Sequence, residues 1–277
     1  MNSTTATSTE QTSTNWVAPL SNGNGHSAVT WCTGRMMAER IELVAALRWA
    51  ARLGFQEGVD NHFSLAVPDE RGQVTGQRFL VNPYGRLWSE VTASSLVLCD
   101  ASGEVLEGEH GVEATAFFIH APLHERRARA VLHTHMPYAT ALTLLEGGRL
   151  EPCQQNALLF HGRIAYDDDY GGLALDRGEG ERIAAALGSA SVLMLGGHGV
   201  ITVADTVAEA FADLYYLEMA ARAQVLAMST GRPLRRIRDE VVRHTAEQAK
   251  TEVGLVARRY FDAVKRTLLR EEPEAFD

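Results

Sequence analysis

The chain has 277 residues, 45% of them hydrophobic and 22% charged, enough for a sizeable core without disulfide staples. Its 26 basic and 35 acidic residues leave a net charge of −9, which argues against binding a phosphate backbone. Three widely spaced cysteines, Cys32, Cys99 and Cys153, form no CxxC pair. A disulfide framework and a thiolate zinc site are therefore unexpected, and a reducing cytoplasm is the expected compartment. No apolar run approaches the roughly 18 residues of a membrane helix.

Residues 1–30 are Ser/Thr-rich with little apolar periodicity and are expected to be a disordered tail. One domain is expected over 31–277. A helix starts near Met36, carries a stripe at Ile41, Val44, Leu47 and Ala51, and stops at Gly54. Short strands are predicted at 62–67, 78–81, 95–99 and 104–106. A helix over 113–125 then leads into a strand at 129–135. Strand character returns at 160–165, followed by a helix over 179–187 and strands at 191–195 and 200–203. A long helix capped by Asp205 or Thr206 reaches Met228. The stretch from Pro233 to Leu269 is predicted to be helical, in two pieces. This interleaving predicts an α/β layered domain.

The chemistry concentrates in histidines. In Val131-Leu132-His133-Thr134-His135 the two histidines are two apart on a strand, so both rings project to one side. Such a pair reads either as the start of a metal site or as two core histidines. His198 follows an apolar strand inside Gly196-Gly197-His198-Gly199, where glycines allow a sharp turn and close backbone approach to a ligand. Together the two features point to a three-histidine metal site. Glu113, at the head of the preceding helix, reads either as a ligand or general base or as a helix-terminal carboxylate. His120 and His124 are four apart, but Ala121 stands where a HExxH protease needs Glu, so both are expected to be structural. His161 is a candidate pocket residue. Substrate contacts are expected from Asn61, Asn82, Tyr84 and Arg86, the last as partner for a carboxylate.

Five segments taken in order carry a resemblance. Asn61-His62-Phe63-Ser64, Val81-Asn82-Pro83-Tyr84-Gly85, Leu96-Val97-Leu98-Cys99-Asp100, His133-Thr134-His135-Met136-Pro137-Tyr138 and Gly197-His198-Gly199 together resemble the class II aldolase/adducin family. The resemblance covers about residues 36–230. It implies a three-layer α/β/α domain around a mixed, largely antiparallel sheet. It also implies a homo-tetramer with sites at subunit interfaces, and His133, His135 and His198 as divalent-metal ligands. Sugar-phosphate aldolases of the family hold phosphate with a Pro-Ser-Ser-Glu segment. Here that stretch is Gly111-Val112-Glu113-Ala114-Thr115, without the serines, so a non-phosphorylated substrate is expected.

Within the family the chain is most similar to the non-heme iron oxygenase branch of aminocoumarin antibiotic biosynthesis. That resemblance implies Fe(II), O2 and a small aromatic 2-oxo acid. The implied reaction takes a prenylated 4-hydroxyphenylpyruvate through a 2-hydroxy acid to the prenylated 4-hydroxybenzoate. Glu113 and His161 are the candidate catalytic residues, His161 reading alternatively as a partner for backbone. The alternative is a Zn- or Mn-dependent decarboxylase or aldolase-type lyase. Adducin-like members without catalysis form a third class, disfavoured because all three histidines are present.

Overall fold

The computed structural model describes residues 36–126 and 128–277. The tail assigned to residues 1–30 lies outside the described residues.

Helix α1 (Met37–Leu53) ends where the sequence places its stop, with Gly54 in the left-handed region at φ 71° and its N–H donating to Ala50 and Ala51. Strands β1 (His62–Ala66), β2 (Arg78–Val81), β3 (Val97–Asp100) and β4 (Val105–Glu107) follow. Helix α2 (Ala114–Glu125) leads into β5 (Ala130–Thr134). Two short helices, α3 (Pro137–Thr143) and α4 (Gln155–Leu158), precede β6 (Ile164–Asp167), α5 (Arg177–Leu187), β7 (Val192–Leu195) and β8 (Gly199–Ala204). The chain closes with α6 (Val207–Met228), α7 (Asp239–Glu271) and a 3-10 turn at Pro273–Phe276.

The eight strands form one sheet in the order β4-β3-β2-β1-β5-β8-β7-β6. Every pairing is antiparallel except β6 with β7. Strand alternation distributes the core between two sides. Ala130 and Leu132 of β5 pack with α1, α3, α6 and α7, whereas Val131 packs with α2 and α5. The result is the expected three-layer α/β/α arrangement around a mixed sheet.

Pro122 lies inside α2 without breaking it. It removes the N–H that would bond Phe118, and α5 covers that carbonyl. A Cβ on Gly180 would lie 1.9 Å from the Phe118 oxygen and 3.1 Å from the Pro122 ring, so only glycine permits this approach.

Three expectations change. The stretch beyond Pro233 is one 33-residue helix from Asp239, not two pieces. Its buried Ala257, Phe261, Val264 and Leu268 recur at helical spacing, Val242 is buried near its start, and α7 packs on α6 and α1. The strand expected at 160–165 begins at Ile164, because Leu159 to Arg163 form tight turns. Helix α3 was not foreseen. Seven residues give little periodicity, and its N-terminus is fixed from outside: the buried Glu218 carboxylate on α6 accepts from the N–H groups of Tyr138 and Ala139 at 2.9 and 2.8 Å. That contact anchors the chain just after His135.

Candidate metal centre

Register brings the functional residues to one end of the sheet. His62 on β1 stands opposite His133 on β5. Ser64 pairs with Val81, so Asn82, Tyr84 and Arg86 leave β2 at that same end. Thr134 pairs with Val200, and Leu195 with Gly199, so the turn bearing His198 folds back beside the end of β5.

His133, His135 and His198 meet there. Each offers a nitrogen within 4.8 Å of the other two, and the ring centroids are 4.8 to 5.1 Å apart. His133 Nδ1 donates to the Val200 carbonyl at 3.0 Å, which leaves its Nε2 as the metal-facing lone pair. His135 Nδ1 donates to the Glu57 carboxylate at 2.6 Å. Its Nε2 is buried and has no hydrogen-bond partner among the described residues. An orphaned imidazole nitrogen facing two further imidazoles fits a divalent metal ion, and the outer hydrogen bonds are those that orient metal-ligating histidines. Gly199 makes the geometry possible. A Cβ there would fall 2.7 Å from the His135 ring and 2.8 Å from the Thr134 carbonyl.

Burial holds His133 and His198 neutral. It depresses His133 well below the ordinary imidazole value, and repulsion from His198, His62 and His135 adds to this. His198 is lowered to about 4 by burial and then by His135. Neutral imidazoles are the ligand form.

The site residues expected from the sequence divide. Glu113 occupies the N-cap position of α2 in extended backbone without a side-chain bond to the helix N–H groups; its carboxylate accepts from Thr115 Oγ1 at 2.6 Å. Burial raises its pKa, the hydrogen bond from Thr115 opposes that, and the Asp60 charge raises it further. Asn82 spends its side chain on the backbone, accepting from Phe63 N–H at 2.9 Å and donating to the Asn61 carbonyl at 3.3 Å. Asn61 accepts from Glu57 N–H, but its Nδ2 is buried without a partner among the described residues. Tyr84 and Arg86 are exposed, and Arg86 Nη2 lies 3.4 Å from His110. His161 departs from expectation. It precedes the start of β6, whereas His198 follows the end of β7, and the two strands run parallel. A strand of this length spans about 10 Å, so His161 sits at the opposite end of the sheet, in a groove with Tyr166 and Arg243.

Two functional residues escaped sequence reasoning. Glu57 lies in a loop, 78 positions from the histidine it orients, and nothing local marks it. His62 was read only as part of a motif. His120 and His124, expected to be structural, are fully buried between α2 and β1 and hydrogen-bonded to His62 and Ser64.

Residues 41–225 match the family model described as "Class II Aldolase and Adducin N-terminal domain". The chain belongs to the class II aldolase/adducin family. Its class II aldolase domain superposes on an aldolase II superfamily protein from Pseudomonas syringae with a TM-score of 0.81 and 34% identity, covering 89% of this chain and 98% of that one. The decarboxylase NovR of Streptomyces niveus is 34% identical over 207 residues, 73% of this chain and 74% of that protein. The 4-hydroxy-3-prenylphenylpyruvate oxygenase/4-hydroxy-3-prenylbenzoate synthase of Streptomyces roseochromogenus is 33% identical over 207 residues, 73% of this chain and 72% of that protein. Among the described residues, no helix is long and apolar enough to cross a membrane.

The buried histidines predict acid sensitivity. Burial lowers His124 from 6.5 to about 4. Between those values the unfolded chain binds a proton that the folded ring refuses, so stability falls as pH falls through this window. His124 alone is expected to cost about 2 kcal/mol between pH 7 and pH 5. His62, His120 and His133, shifted in the same direction, add to that loss. Urea unfolding of the metal-free protein at the two pH values measures it, and equal stabilities would contradict it.

Proposed function

We propose that this protein is a non-heme Fe(II) oxygenase that oxidatively decarboxylates an aryl 2-oxo acid. The substrate assigned is a prenylated 4-hydroxyphenylpyruvate, converted through a 2-hydroxy acid to the prenylated 4-hydroxybenzoate. The observation that carries the reading is a cluster of three imidazoles able to hold a metal ion, with no carboxylate in the set. Such a set leaves open positions for a chelating 2-oxo acid and for O2. Likeness over nearly three quarters of the chain to a protein named for this conversion supports it.

Iron bound by His133, His135 and His198 would supply the oxygen chemistry. The protein's own groups have separable tasks. Glu57 fixes the His135 ring through Nδ1. Asn61 offers its buried Nδ2 as a donor toward substrate oxygen. Arg86 is assigned to the substrate carboxylate and Tyr84 to the aryl ring. Glu113, its pKa raised by burial, is assigned proton exchange with the substrate. A neighbouring copy in the proposed homo-tetramer would cover the exposed Tyr84 and Arg86. The stretch from Gly111 to Thr115 presents one hydroxyl, and that hydroxyl is already donated to Glu113, which suits a substrate without phosphate.

The test is oxygen uptake. Protein loaded anaerobically with Fe(II) is given the prenylated 4-hydroxyphenylpyruvate, and O2 is followed together with CO2. Oxygen consumption matching CO2 release is the expected result. Release of CO2 without oxygen use would replace this reading with a metal-dependent decarboxylase, the class in which NovR is named.

A further inference from the structure

A buried chain of hydrogen bonds leads away from the metal centre. His62 lies against His133, ring centroids 4.9 Å apart, and its Nδ1 is 2.8 Å from His120 Nε2. His120 Nδ1 is 2.5 Å from Ser64 Oγ, which is 2.7 Å from His124 Nε2. His124 Nδ1 is 2.7 Å from the carbonyl of Ala128. All three rings and the serine are buried.

A carbonyl only accepts, so His124 Nδ1 carries the hydrogen and its Nε2 accepts from Ser64. Ser64 Oγ then accepts from His120 Nδ1, and His120 Nε2 accepts from His62 Nδ1. Every tautomer follows from the last link. His62 is left with a bare lone pair on Nε2, its ring hydrogen-bonded among the described residues only through Nδ1. The carbonyl at the far end takes no proton onward, so the chain locks a tautomer and does not conduct protons.

Resting on the oxygenase reading, we propose that His62 recognises the 2-hydroxy acid formed between the two decarboxylations. Its Nε2 accepts the hydrogen bond of the hydroxyl on the carbon beside the substrate carboxylate. Ser64, oriented by His124 and acting through His120, is a positioning residue that keeps Nε2 an acceptor. A keto oxygen at the same carbon has no hydrogen to give, so His62 distinguishes the second substrate from the first.

Protein loaded with Co(II), whose visible bands report ligand binding, is titrated with mandelate and with phenylglyoxylate. Both chelate through a carboxylate and the oxygen on carbon 2, and only mandelate carries the hydroxyl. Loss of one hydrogen bond in His62→Leu is expected to weaken mandelate about tenfold and phenylglyoxylate less than about twofold. His62→Gln, whose amide oxygen accepts, should retain part of the preference. Ser64→Ala should lower it at unchanged cobalt content. Equal effects on both probes, or none, would overturn the proposal. If His62→Leu fails to take up cobalt, Ser64→Ala decides, and an unaltered ratio of the two affinities overturns it. Selection for mandelate without O2 uptake by the Fe(II) protein on the prenylated substrate would sink the oxygenase reading and leave the recognition standing. Uptake with no selection would do the reverse.

Discussion

Replacing His133 with alanine is expected to strip the protein of its metal and reduce turnover to background. The ring is buried between β1, β5 and α2, its Nδ1 is committed to Val200, and its Nε2 faces His135 and His198. Two imidazoles remain after the substitution, one on a strand end and one on a turn, and they cannot define three faces of an ion. The loss of affinity should exceed the roughly 100-fold that removal of an outer partner can cost. Metal content after gel filtration, paired with a thermal melt of the metal-free variant, checks this. Stoichiometric metal in His133→Ala would show that the three histidines are not the ligand set. His198→Ala is the companion change, and its half-buried position on a turn makes a folding defect a weaker explanation than for the fully buried His133.

Glu57→Gln is expected to weaken metal binding by about 10- to 100-fold without unfolding the protein. Glu57 does not touch the ion. It accepts from His135 Nδ1, fixes which nitrogen faces the metal, and makes that nitrogen more basic. The carboxylate is largely exposed, whereas the His135 side chain is mostly covered, so the amide fits the same space and tests charge with little change in shape. Competition with a chelator of known affinity measures the shift. An unchanged constant would reduce Glu57 to a surface ion pair, which ordinarily contributes little.

These two experiments probe residues of unequal visibility. His133 and His135 announce themselves, because a strand places alternate side chains together and an apolar run marks the strand. His198 is marked by glycines, and the structure supplies their reason: β8 must pass against His135, where any Cβ would collide. Glu57 has no such signature. Its role depends on a loop after α1 reaching the end of β5, and that meeting is made by tertiary packing. Thr134 Oγ1 donates to the carbonyl of Phe55 and helps hold the two segments together.

His62, His120 and His124 show the same division in one network. The i, i+4 spacing of the last two was legible as a shared helix face, and as structural residues they conform to expectation. That the face lies on β1, with Ser64 between the two rings, is a matter of helix docking. Without it, no tautomer could be assigned. His161 is the opposite case. It is a candidate pocket residue by sequence, but the parallel pairing of β6 with β7 carries it to the far end of the sheet.

By itself the sequence determined the elements set by local periodicity and termination. These are α1 with its Gly54 stop, the strand segments, the length of α6, and the pairing of His133 and His135 on one strand face with a glycine-flanked His198 as a candidate partner. Each follows from the 3.6- and 2-residue repeats and from glycine and capping chemistry, which act over a few residues. Only the tertiary structure decided the register of β1 against β5, the continuity of α7, the carboxylate behind His135 and the acceptor state of His62. Those features depend on contacts between segments tens of residues apart, where burial drives most polar atoms to find a partner and the partner is whatever the packing brings.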